Sequence, residues 1–96
     1  MQTGFYLVER YLPGATGDDL ASAAARIEAA AAEMAAEGIR VRYLGSSFVP
    51  AEETCFSEFE APSVDAVEWA NERARVPFAR ILPAVRLSAR NDRRRS

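Results

Sequence analysis

Apolar and polar positions change period several times along the chain, and each change marks an element. Phe5, Tyr6, Leu7, Val8 and Tyr11 are β-favouring residues within Phe5–Leu12, which reads as a first strand. Pro13-Gly14 ends it by removing a backbone donor and permitting a turn. From Asp18 onward Leu20, Ala24, Ile27, Ala31 and Met34 recur at steps of three and four. That spacing places side chains on one face of an amphipathic helix of about five turns. Thr16 or Asp18 can accept a backbone N–H at its start, Asp18 and Asp19 suit the positive end of its dipole, and Gly38 offers a left-handed stop.

Period two returns over Ile39–Val49, and after a polar connection from Pro50 to Glu53 it resumes over Thr54–Glu60, so these two strands are predicted to pair antiparallel. Ser63, just after Pro62, is the predicted N-cap of a second helix with an apolar seam of Val67, Ala70 and Ala74. It ends near Val76-Pro77, because the residue before proline avoids the helical region. A last strand runs over Ile81–Leu87, and Pro83 restricts it to a sheet edge or a bulge. Residues 1–89 thus form one domain, and the arginine-rich stretch 90–96 is predicted to be a disordered tail.

The order βαββαβ has a compact α+β solution, the ferredoxin-like arrangement: a four-stranded antiparallel sheet with both helices on one face. The other face is then bare. A domain of this size buries only roughly 65% of the surface its unfolded chain exposes, so a bare sheet carrying Tyr and Phe favours a partner, and a homodimer is the expected one.

Composition narrows the chemistry. The 96 residues are 49% apolar and 27% charged with a net charge of −2, which is globular composition without a large field of either sign. Histidine is absent, which removes both the commonest general base and the commonest transition-metal ligand. The single cysteine cannot close an intramolecular disulfide, and no stretch approaches the roughly 20 apolar residues of a bilayer span; the expectation is a cytoplasmic protein that does not engage a membrane. Arg90 and Arg93–Arg95 form the only basic cluster, but neither interleaved aromatics nor a recognition helix accompanies it, so no nucleic-acid partner is expected.

Several side chains carry candidate chemistry. Cys55 reads first as a buried structural thiol and second as a thiolate metal ligand or a nucleophile. If the first strand lies between the third and fourth, Glu9 sits between Glu58 and Arg86 on the bare face. Two such carboxylates with an arginine could act as general base and electrostatic partner, Arg42 offering a second cation; equally, they could form cross-strand ion pairs at a dimer interface. Tyr11, Tyr43, Phe56 and Trp69, with Arg42, are candidates to line a small-molecule pocket between the sheet and its partner. Trp69 lies off the apolar seam of its helix and could cap that pocket. Glu28, Glu33 and Glu37 read as a solvated helix face.

Phe5-Tyr6-Leu7-Val8-Glu9-Arg10-Tyr11-Leu12-Pro13-Gly14, Val41-Arg42-Tyr43-Leu44-Gly45-Ser46, Glu53-Thr54-Cys55-Phe56, Ala61-Pro62-Ser63, and Asn71-Glu72-Arg73-Ala74 through Val76-Pro77-Phe78 to Ile81 also resemble, in order, a family of small bacterial proteins. That family is described as a domain of unknown function with nickel-binding or nickel-responsive members. The resemblance implies a dimeric ferredoxin-like protein that binds a metal or small ligand, with nickel as the implied metal. No imidazole ligand can carry over to a chain without histidine. A cofactor-free enzyme of cyclase, isomerase or decarboxylase type, built on Glu9, Glu58 and Arg86, is the alternative, and a structural interaction module is a third.

Overall fold

A computed structural model describes residues 2–88 of the chain. The alternating segments form β1 (Gly4–Tyr11), β2 (Arg42–Val49) and β3 (Thr54–Ala61); the two periodic segments form α1 (Gly17–Ala36), between β1 and β2, and α2 (Val64–Ala74), after β3; the last strand is β4 (Arg80–Ala84). The strands make one antiparallel sheet in the order β2-β3-β1-β4, so β1 lies between β3 and β4 as predicted. This is the ferredoxin-like topology.

Both helices are capped by side chains anticipated for the role. Thr16 accepts from the Asp19 N–H while the Asp19 carboxylate accepts from the Thr16 N–H, a reciprocal capping box that holds the Asp19 carboxyl below its usual range. Ser63 accepts from the Ala66 N–H at the start of α2. At the far end of α1, the Gly38 N–H donates to the Ala35 carbonyl and the Ile39 N–H to the Met34 carbonyl, with Gly38 at a φ of 93°. Those two bonds are a Schellman closure, which glycine enters without steric cost. The same pair of bonds closes α2, from Arg75 to Glu72 and from Val76 to Asn71, but there Arg75 itself takes the left-handed conformation.

Two strand ends differ from the expected ones by three residues, the others by at most one. β2 begins at Arg42 because Ile39 is consumed by the helix closure and the Val41 N–H bonds back to the Ile39 carbonyl. β4 stops at Ala84 instead of reaching Leu87, and Pro83 sits in it as the edge-strand residue it was expected to be. Val85 and Leu87, beyond its end, are exposed. The tail at 90–96 lies outside the described residues.

Alternation assigns the faces. In β3 Cys55, Ser57, Phe59 and Ala61 are buried and the residues between them are half-buried. Val8 on β1 joins the buried set, and α1 closes over it with Ile27, Ala30, Ala31 and Met34, α2 with Ala66, Val67, Ala70 and Ala74. Each buried Val, Ile, Met or Phe contributes roughly 1.5–3 kcal/mol. Among the described residues no helix covers the opposite face, which carries Phe5, Leu7, Glu9, Phe56 and Glu58. No helix among the described residues is long and apolar enough to cross a membrane.

Candidate functional site

The open face holds the two carboxylates expected there, in a different arrangement from the one predicted. Pairing of β1 with β3 sets Leu7 opposite Glu58 and Glu9 opposite Phe56, while pairing with β4 sets Glu9 opposite Arg80. Glu9 therefore binds Arg80, and Glu58 binds Arg86 from beyond the end of β4 at 2.7 Å. Glu9 does not sit between Glu58 and Arg86, because the short β4 begins at Arg80 and that residue takes the position across from it. Arg42 pairs with Glu60 at 2.7 Å, two positions further along β3. The face thus carries separate, solvent-exposed cross-strand ion pairs, each worth about 0–1 kcal/mol, and each carboxylate has its own arginine.

The aromatic candidates also separate. Phe56 is half-buried on the open face, and Tyr11 is 60% exposed, its hydroxyl 3.4 Å from the Glu53 carboxylate. Trp69 lies on the outside of α2 with the Arg73 guanidinium over its ring at 4.9 Å, so it caps no pocket on the sheet. Arg73 is held in turn by both carboxylate oxygens of Glu37, at 2.8 and 3.1 Å, which keeps the Glu37 carboxyl below its usual range and ties α2 to the end of α1. Tyr43 and Cys55 point the other way, into the space between sheet and helices.

There the structure contains a cavity of about 460 Å³. Its origin is compositional: the second half of α1 seats Ile27, Ala30, Ala31 and Met34 fully, whereas in the first half Leu20, Ala23 and Ala24 are only half-buried and small side chains leave the space below them unfilled. A bulge in β2 between Tyr43 and Gly45 shapes the rim. Leu20, Ala24, Ile27 and Phe48 give the cavity apolar walls, and Arg10, Tyr43, Ser46, Cys55 and Ser57 give it polar groups. The Tyr43 hydroxyl bonds the Ser46 hydroxyl, which bonds that of Ser57 at 2.8 Å, and the Tyr43 ring packs on Phe59 with centroids 5.4 Å apart.

Arg10 is the unusual member. It is 1% exposed and stands directly across the β1–β3 pair from Cys55. Its terminal nitrogens donate to the Asn71 side-chain oxygen at 2.6 Å and to the carbonyls of Pro77 and Val76 at 3.2 and 3.4 Å, where the chain leaves α2. Every one of those acceptors is neutral, and among the described residues Nε has no hydrogen-bond partner. Burial pushes the guanidinium below its ordinary value, with Cys55 and Tyr43 pulling it partly back. Sequence reasoning missed Arg10, Asn71 and Ser57 as site residues. A signal for Arg10 was present: it stands in phase with Tyr6 and Val8, so strand alternation directs it inward.

The donor set does not suit nickel. The chain has no imidazole, and among the described residues no three His, Cys, Asp or Glu side chains come together. The one thiol faces a cation, which would oppose a bound metal ion.

Two comparisons place the chain among known proteins. A family model described as nickel responsive protein, SCO4226-like, matches residues 6–83. The crystal structure of SCO4226 from Streptomyces coelicolor A3(2) is similar with a TM-score of 0.73 at 27% identity, covering 88% of this chain and 99% of that one. No curated protein matches significantly.

Proposed function

Because the chain belongs to the family of SCO4226-like nickel responsive proteins, we propose that it is a ligand-binding protein whose ligand is a small molecule held in the cavity under the first half of α1, in place of a nickel ion. The observation that carries this reading is the cavity itself. At about 460 Å³, with apolar walls and a few converging polar groups, it has the size and chemistry of a small-molecule site. The mismatch between nickel and the available donors supports the second half of the reading. The carboxylates of the open face, each paired with an exposed arginine, offer an enzyme no enclosed base. A single free thiol suits a reducing cytoplasm.

The test uses two aromatic probes of one shape, phenylacetamide and phenylacetate, added to the protein while amide NMR signals are followed. Signals of Leu20, Ala24, Gly45 and Cys55 should move with at least one of them, and calorimetric titration with nickel chloride should show no stoichiometric uptake. Still signals with both probes, or one nickel bound per chain, overturn the reading.

The proposal includes a second copy of the chain on the open face, where Phe5, Leu7, Phe56 and Leu82 are half-buried with no element of the described residues over them. Sedimentation velocity at micromolar concentration should return twice the chain mass; a single chain mass across the concentration series removes the dimer.

A further inference from the structure

A buried cation without a counter-charge is an expensive feature. Moving a guanidinium out of water is strongly unfavourable, and hydrogen bonds to neutral carbonyls recover only part of the lost hydration. Arg10 is in this position: it is essentially inaccessible, and among the described residues it forms no ion pair with a carboxylate and its Nε has no hydrogen-bond partner. It also lines the cavity, whose remaining polar groups are the side chains of Tyr43, Ser46, Cys55 and Ser57, with no carboxylate among them. The three hydroxyls of Tyr43, Ser46 and Ser57 form a chain with two internal bonds, so one O–H is left to donate outward. An unpartnered N–H on a positive charge and a spare O–H, enclosed by Leu20, Ala24 and Phe48, describe an acceptor-rich anion attached to an apolar body.

We propose that the cavity takes a small organic acid, its carboxylate paired with the Arg10 guanidinium behind the cavity wall and accepting from the hydroxyl chain, its apolar body lying under α1. The inference rests on the reading of the cavity as a ligand site and goes further by assigning the ligand's charge and its anchor. Arg10 is held in place for this task by Asn71 and by the carbonyls that follow α2, so the anchor is fixed before the ligand enters. An inorganic anion would satisfy the charge and leave the apolar walls unused.

The experiment compares phenylacetate, phenylacetamide and inorganic phosphate on the wild-type protein by calorimetry and amide NMR. Phenylacetate should bind about ten- to a hundredfold more tightly than phenylacetamide, the range a charge-assisted hydrogen bond supplies, and phosphate should bind more weakly than phenylacetate. Equal affinity for acid and amide overturns the inference and leaves the ligand-site reading standing; binding of neither overturns that reading as well. Phosphate binding as tightly as phenylacetate also overturns the inference, since the apolar body would then contribute nothing. Arg10→Gln should abolish the preference for the acid while retaining the amide, and a retained preference sinks the role of Arg10. Ala24→Phe, which fills the cavity and leaves Arg10 untouched, should abolish binding of both probes. Acid binding that survives Ala24→Phe unchanged puts the site elsewhere. Should Arg10→Gln fail to fold, the wild-type comparison and Ala24→Phe decide the matter.

Discussion

Asn71→Leu is expected to lower the unfolding free energy by about 2–4 kcal/mol, read from the denaturant midpoint at unchanged slope. Asn71 is fully buried and works in both directions: its side-chain oxygen accepts from Arg10 at 2.6 Å, and its side-chain nitrogen donates to the Val67 carbonyl at 2.8 Å, one turn back along α2. Leucine keeps the branched shape of the side chain but puts two bulkier methyl groups where the amide oxygen and nitrogen stood, so no cavity opens, and the loss of both polar partners is joined by some crowding of the core. The substitution takes the shortest hydrogen bond from a guanidinium that already has an unpartnered Nε, and a buried charge stripped of a partner is destabilising out of proportion to the bond removed. Arg10→Met removes the charge instead and leaves the Asn71 oxygen orphaned. The double variant, with both polar groups gone, should therefore cost less than the sum of the two single changes by about 1–3 kcal/mol. Additive costs would show that Arg10 and Asn71 do not depend on one another, and with that the preformed anchor would be lost.

Much of this architecture is legible in the sequence, for reasons that can be located. The change from period two to steps of three and four identifies α1, and Thr16, Ser63 and Gly38 mark helix ends because each solves a local hydrogen-bonding problem that needs no tertiary partner. The order βαββαβ then leaves few compact solutions, and the strand order follows. Register is harder. Glu9 faces Arg80 and not Arg86 because a five-residue edge strand is aligned by the few positions that pair with β1, and neither the start of β4 nor its stop at Ala84 has a strong local signal. The cavity is harder still, since a run of alanines reads equally well as a tightly packed seam or as a helix held off the sheet, and only packing against β2 and β3 distinguishes them. Arg10 shows the limit in the other direction. Its phase with Val8 says that it points inward, yet its acceptors, Asn71 and the carbonyls of Val76 and Pro77, lie more than sixty residues away in the chain, where no short-range pattern connects them.

Phe59→Ala is expected to be the most damaging single change, about 3–5 kcal/mol by chemical denaturation, against a total of about 5–15 kcal/mol for a domain of this kind. Phe59 is fully buried on β3, a central strand, with Tyr6 opposite it on β1 and Tyr43 opposite it on β2. It belongs to the cluster that both helices cover, so truncation opens a cavity that neither helix can close without leaving the other. The consequence extends to the proposed ligand site, because the Tyr43 ring rests on Phe59 and the Tyr43 hydroxyl begins the chain through Ser46 to Ser57. Phe59→Leu keeps most of the apolar volume and removes the aromatic surface under Tyr43, so it should cost about 1–2 kcal/mol and still weaken phenylacetate binding by several-fold. Stability and binding would then separate: a folded Phe59→Leu protein that binds phenylacetate as the wild type does would show that Tyr43 needs no support from beneath, and that the hydroxyl chain plays no part in holding the acid.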